Sequence, residues 1–307
     1  MTALTLPPRR LRDRHGLTWS VLRVHRTALW VWAAVVAAGV GGLLWSYRQA
    51  TGNAGDGLPL DDFAGLRLAG SAILLLPPVV AAFAGGALIG RELENGTAAL
   101  AWTQSVSPAR WLAAKLAVPA LALTAGMTVL TLLFRWVWTS GTSDAAPGWY
   151  EKDVFFAGGP VGLAYVLLGL ALGALSGLLM RRTLSGLGFA FFATVLVHFT
   201  LVTFRSRLWP TTRWTGFEAA RLPASADRIE VGLVTAAGKP LSGTQCNMDV
   251  PREFEQCLRD MGAADAYAVV HPASHYWPLQ FVESGIVLAV AALACVAAFG
   301  LLRRRAA

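Results

Sequence analysis

Six apolar runs divide the chain, at 28–45, 68–89, 111–137, 154–180, 184–204 and 277–302. Each is long enough to cross a bilayer as a helix of about 20 residues. Among the polar stretches between them are a turn-rich island at 90–110 and a larger block at 206–276. Ahead of the first run, Leu17, Val21, Val24 and Ala28 recur at four, three and four residues, while Arg23 and Arg26 lie off that stripe. This spacing predicts an amphipathic interfacial helix over 16–27; a frayed start of the first span is the alternative.

The predicted class is therefore an all-α integral membrane protein with six transmembrane helices and an N-terminal interfacial helix. The expected organisation is a basic segment over 1–27, spans one to five over 28–205, an outer block over 206–276, and the last span with its basic tail over 277–307. Composition agrees, since 55% of the residues are hydrophobic and only 14% are charged, outside the range of ordinary soluble domains. The net charge of +8 belongs to arginines beside the spans, where it serves headgroup lipid rather than nucleic acid. Lysine occurs only at 115, 152 and 239 amid abundant Arg, Ala and Gly, a bias of high-GC bacterial genomes.

Orientation follows from the basic residues of short loops. One side collects fourteen, including Arg91, Arg110, Lys115, Arg181, Arg182 and Arg303, against six on the other, which is also sprinkled with Asp and Glu. The first side is expected to be cytoplasmic and to hold both termini. No small-x-small cleavage site trails the first span, so the N-terminus is expected to stay. Trp30, Trp32, Trp45, Tyr47, Trp136 and Trp138 sit at span ends, as an interfacial aromatic belt does.

The island at 90–110 contains the candidate chemistry. Arg91, Glu92 and Glu94 end the second span, because a charge at the bilayer centre costs about 2.5–3.5 kcal/mol. Asn95 and Gly96 allow a turn, Thr97 can cap a short helix, and Ser107 with Pro108 gives an N-cap and first-turn proline for the third span. Pro77 and Pro78 stand in tandem within the second span and predict a kink; a static bend and a gating hinge both remain open. Gly169, Gly173 and Gly177 share one helix face for close packing.

These residues resemble the membrane permeases of ABC-2 type exporters. The resemblance is carried by Gly90-Arg91-Glu92-Leu93-Glu94-Asn95-Gly96-Thr97, Ala101-Trp102-Thr103-Gln104-Ser105-Val106, Arg110-Trp111-Leu112-Ala113-Ala114-Lys115-Leu116, and His271-Pro272-Ala273-Ser274-His275-Tyr276-Trp277-Pro278-Leu279-Gln280 with Glu283. It implies a type V exporter-like half-transporter in the cell membrane, with two permease chains, as a homodimer or a heterodimer, and two ATPase chains. By the same resemblance the loop would dock on the ATPase, through Arg91, Glu92, Glu94, Gly96, Thr97, Trp102, Gln104 and Arg110. ATP and Mg would belong to the ATPase, and this chain would bind no cofactor and act as no enzyme. In agreement, the nearest phosphate-loop candidate, Gly232 to Gly238-Lys239-Pro240, has five intervening residues and a proline where a P-loop needs four and Ser or Thr.

In the outer block, Cys246 and Cys257 are spaced for a disulfide in an oxidising exterior. A metal pair is opposed by the lack of a companion pair. Pro251 to Gly262 reads as a helix. Within the spans, His198 and Glu283 are the candidate pathway or gate groups beside Pro77 and Pro78. For Glu283, facing a cavity or pairing with Arg135 or Arg205 stands level with a helix-start role, while His198 more often packs as a neutral ring.

The favoured function is export of an amphipathic or lipophilic compound, such as a drug, antibiotic or lipid-like molecule. A membrane-embedded enzyme would need a nucleophile pair, paired carboxylates or a metal cluster in the spans, and none is visible. An ion-coupled carrier usually shows midplane acids. A signalling partner of an ABC ATPase that transports nothing remains compatible with the sequence.

Overall fold

The computed structural model describes residues 23, 25–52, 63–103, 106–140, 147–216, 222–223, 225–237, 240–241, 256–257 and 259–306. The predicted interfacial helix over 16–27 falls almost wholly outside them, as do Gln104 and Cys246. The helices are α1 (Arg26–Gly52), α2 (Ala64–Phe83), α3 (Arg91–Glu94), α4 (Thr97–Thr103), α5 (Pro108–Ser140), α6 (Lys152–Ala157), α7 (Pro160–Met180), α8 (Thr183–Phe204) and α9 (Tyr276–Ala306). A π-helical stretch, Ala84–Gly90, joins α2 to α3, and 3-10 turns occupy Arg205–Arg207 and Ala273–His275. Six of these segments are long and apolar enough to cross a membrane.

The fourth span is the hub. α7 packs against α2, α5, α8, α9 and the π-helical stretch, and two thirds of its span is buried. Its glycine stripe explains how: a Cβ on Gly169 would press on the Pro77 carbonyl, one on Gly173 on the Ala81 carbonyl, and one on Gly177 on the Gly85 carbonyl and Ile89. The stripe is packing within one chain. Gly85 is equally constrained, because its Cβ would lie 2.5 Å from the Gly186 carbonyl oxygen of α8. Gly85→Ala is expected to lower stability by about 1–3 kcal/mol through overpacking, read as a drop in melting temperature of the purified protein. α2 runs as a helix through Pro77 and Pro78, and the departure from α geometry begins only at Ala84.

Two expectations need correction. The apolar run at 154–180 is not one helix: α6 ends at Gly158, Gly159 is extended, and Pro160 starts α7. A proline without an N–H favours a new first turn over a continued helix. The break is buried, so its backbone groups need partners; Gln280 of α9 supplies two, donating to the Phe155 carbonyl at 2.5 Å and accepting from the Val161 N–H at 3.3 Å.

The second correction concerns the all-α class. The block between α8 and α9 forms a four-stranded antiparallel sheet, ordered β1 (Thr212–Thr215), β4 (Ala263–His271), β2 (Asp227–Thr235), β3 (Pro240–Leu241). Ala266, Ala268 and Val270 of β4 alternate inward, the period of two that marks a half-buried strand. Gly262 precedes β4 with φ +76°, and the Met261 N–H donates to the Cys257 carbonyl at 3.1 Å, which matches the expected helix end there. The sheet and the α3–α4 loop lie at opposite ends of the bundle, because the chain crosses it an odd number of times between them.

Candidate functional site

The loop that follows α2 is pinned to the bundle by both of its glutamates. Glu92 accepts from Lys115 Nζ of α5 at 2.5 Å, and Lys115, with only 5% of its side chain exposed, also meets His25 Nε2 at 3.2 Å and the Trp111 ring at 5.6 Å. Burial, and then the adjacent Lys115 ammonium, hold the His25 imidazole below its ordinary pKa despite the opposing pull of Glu92. A neutral ring can accept from the ammonium. Glu94 Oε2 accepts from the Thr183 N–H at 2.8 Å and from its hydroxyl at 2.6 Å, so a side chain of the loop satisfies a free donor at the start of α8.

Between these anchors and α5 the loop turns at Gly96, whose φ of +72° suits glycine. α4 follows. The Thr97 hydroxyl donates to the Glu92 carbonyl at 3.2 Å, so it closes the preceding turn instead of capping α4. Ala98 is buried, and Trp102 meets Trp111 edge-on at 5.8 Å. Ala99, Leu100 and Thr103 face outward, Leu100 being 60% exposed. Arg91 and Arg110 are exposed as well. Ser107 caps α5 as expected, its hydroxyl accepting from the Arg110 N–H at 3.4 Å.

At the opposite end a buried polar network replaces the open alternatives for Glu283. This carboxylate is fully buried and pairs with Arg205, at 2.8 Å from Nε and 3.3 Å from Nη2. The Tyr165 hydroxyl of α7 donates to it at 3.2 Å. Arg205 lies 4.0 Å from the Phe155 ring centre, whereas Arg135 covers Trp277 at 4.6 Å. His198 packs edge-on between Tyr165 at 5.0 Å and Phe156 at 5.4 Å, and its Nδ1 is buried without a hydrogen bond. Pro77 and Pro78 are not part of this network; the Pro77 carbonyl lies against Gly169.

Just outside, a cavity of about 170 Å³ is lined by Tyr150, Lys152, Arg205, Asp227 and His271 among others. Burial lifts the Asp227 carboxyl above its ordinary value, against the pull of His271 and Arg205. Larger apolar cavities of about 410 and 360 Å³ lie along α1 where it faces α2 and α5, and they share Val35 and Leu76. They form a trough from His25 and Thr27 at one end to Trp45 and Ser46 at the other.

Lys115, Thr183, Leu100, Tyr165 and Gln280 are functional candidates that the sequence did not single out for these contacts. Lys115 carried a signal, as a lysine inside an apolar run. Thr183 carried none. The Cys246 to Cys257 pairing involves a residue outside those described; Cys295 of α9 is a free, half-buried thiol. Among the described residues, no group of three or more His, Cys, Asp or Glu gathers as a metal site.

Residues 27–205, more than half of the chain, match the profile of the family described as ABC-2 membrane transporter related. The match spans α1 to α8 with the loop and stops before the sheet. No match was found among curated proteins or among solved structures.

Proposed function

Given that the chain belongs to the ABC-2 membrane transporter related family, and is thus a multi-pass permease of the ABC transporter kind, we propose that it moves an amphipathic or lipophilic compound out of a bacterial cell. Two copies work with two ATPase subunits that bind ATP and Mg, and the termini and the α3–α4 loop face the cytoplasm. The permease pair is a homodimer. The observation that carries this reading is the loop itself, in which a short helix with an exposed apolar tip at Leu100 is tied by Glu92 to α5 and by Glu94 to α8. A push on α4 therefore reaches two spans at once.

The division of labour differs from a simple docking surface. Glu92 and Glu94 are spent on the bundle, so Leu100, Thr103 and Arg91 are the groups presented to a partner, and the glutamates transmit its movement. The apolar trough beside α1 supports a lipophilic cargo, since a pocket with so few polar groups selects by apolar burial. At the sheet end, a Cys246–Cys257 disulfide is proposed to brace the outer block, to be checked by peptide mass mapping under non-reducing conditions.

The test is co-expression with the ABC ATPases of the same genome. Leu100→Asp is expected to abolish co-purification of the ATPase, while the permease alone still folds and inserts. Retention of both the complex and its ATP-dependent export of lipophilic dyes in this variant would overturn the docking role of α4. A complex that forms and hydrolyses ATP but exports nothing would favour a signalling role instead.

A further inference from the structure

His271 and His275 were part of the stretch that resembles the family's entry into its last span, yet nothing in the transport reading uses them. Their placement is tightly determined. His271 ends β4 opposite Asp227 of β2 and is 1% exposed. Pro272 then turns the chain, and the His275 N–H donates to the Pro272 carbonyl at 2.9 Å, closing a 3-10 turn that brings His275 back over His271. The two Nδ1 atoms lie 3.0 Å apart, with the rings inclined at 66°.

The tautomer of His271 is fixed by its other nitrogen. Nε2 stands 3.1 Å from the Ser206 carbonyl, which can only accept, so Nε2 carries the hydrogen. In the neutral ring Nδ1 is then a bare lone pair aimed at His275. This is the arrangement by which a metal-ligating histidine is oriented, with its outer N–H held by a carbonyl. The separation also fits. Two imidazole nitrogens bound to one ion at about 2.0–2.1 Å stand roughly 2.9 Å apart in a square-planar cis arrangement and roughly 3.3 Å apart in a tetrahedral one.

We propose that His271 Nδ1 and His275 Nδ1 chelate one divalent transition-metal ion of the imidazole-preferring class, Zn²⁺, Cu²⁺ or Ni²⁺, at the junction between the sheet and α9. No third His, Cys, Asp or Glu among the described residues completes the group, so water fills the remaining positions. Asp227, across the strand pair and lining the same cavity as His271, adds negative potential. Ser206 follows directly on Arg205, the partner of Glu283. The ion therefore ties together the end of α8, the last residue of β4 and the turn that starts α9.

Purified full-length protein without a polyhistidine tag, titrated with Zn²⁺ and separately with Ni²⁺, tests this by calorimetry and by metal content after desalting. One equivalent per chain is expected, together with a higher melting temperature. His275→Asn removes one ligand at a half-exposed position, so it spares the fold; it is expected to weaken binding by about tenfold or more while leaving the metal-free melting temperature unchanged. Absence of saturable binding, or equal binding by the His275→Asn protein, overturns the site and leaves the pair as two rings sharing one proton.

Discussion

Replacing Glu283 by alanine is expected to destabilise the protein by about 3–5 kcal/mol, the cost of leaving a buried charge without its partner. Arg205 would keep its place over Phe155, with 13% of its side chain exposed but no carboxylate to balance it, and the Tyr165 hydroxyl would lose its acceptor. Arg205→Ala should be as damaging, since it strands a carboxylate that has no exposure at all. The double variant Arg205→Met with Glu283→Leu should recover most of the loss, because apolar pairs of similar volume often replace a buried ion pair at little cost. Thermal unfolding in detergent measures all three. An unchanged midpoint for Glu283→Ala would show that the pair is not desolvated in the membrane-extracted protein, and the account of this network would fail.

The second large effect is expected in transport with little change in folding. Glu92→Lys places a cation against Lys115, which is itself buried and already beside His25, so the loop must separate from α5. Losing a coupling of 1–3 kcal/mol corresponds to a fall of roughly 5–150-fold in the coupled activity. ATP-driven export should drop by that amount in reconstituted vesicles while the ATPase still binds, because Leu100 is untouched. Adding Lys115→Glu restores opposite charges and should return part of the activity. If the single variant instead lost the ATPase from the complex, Glu92 would be a contact residue and not a transmitter.

How much of this was legible beforehand depended on the period of the signal. Five of the six spans were plain, because a bilayer imposes a long run of apolar residues that composition alone reveals. The fourth misled: Gly158, Gly159 and Pro160 interrupt the helix without interrupting hydrophobicity, and a buried break stays apolar when a distant side chain, Gln280, satisfies it. The sheet was hidden for a different reason. Ala266, Ala268 and Val270 alternate as a strand should, but small residues give weak contrast. The island at 90–110 was recognised from its charges, while their destinations were not, since Thr183 lies 89 positions from Glu94 and only the folded bundle brings them together.

The Gln280 bridge also redraws the moving parts of the molecule. α6 hangs from α7 by two glycines, yet the carbonyl and the ring of its Phe155 are gripped by Gln280 of α9 and by Arg205. Whichever way the sixth crossing tilts during a cycle, this short piece of the fourth should travel with it, so the mechanical units are bounded by side-chain grips and not by the order of the chain.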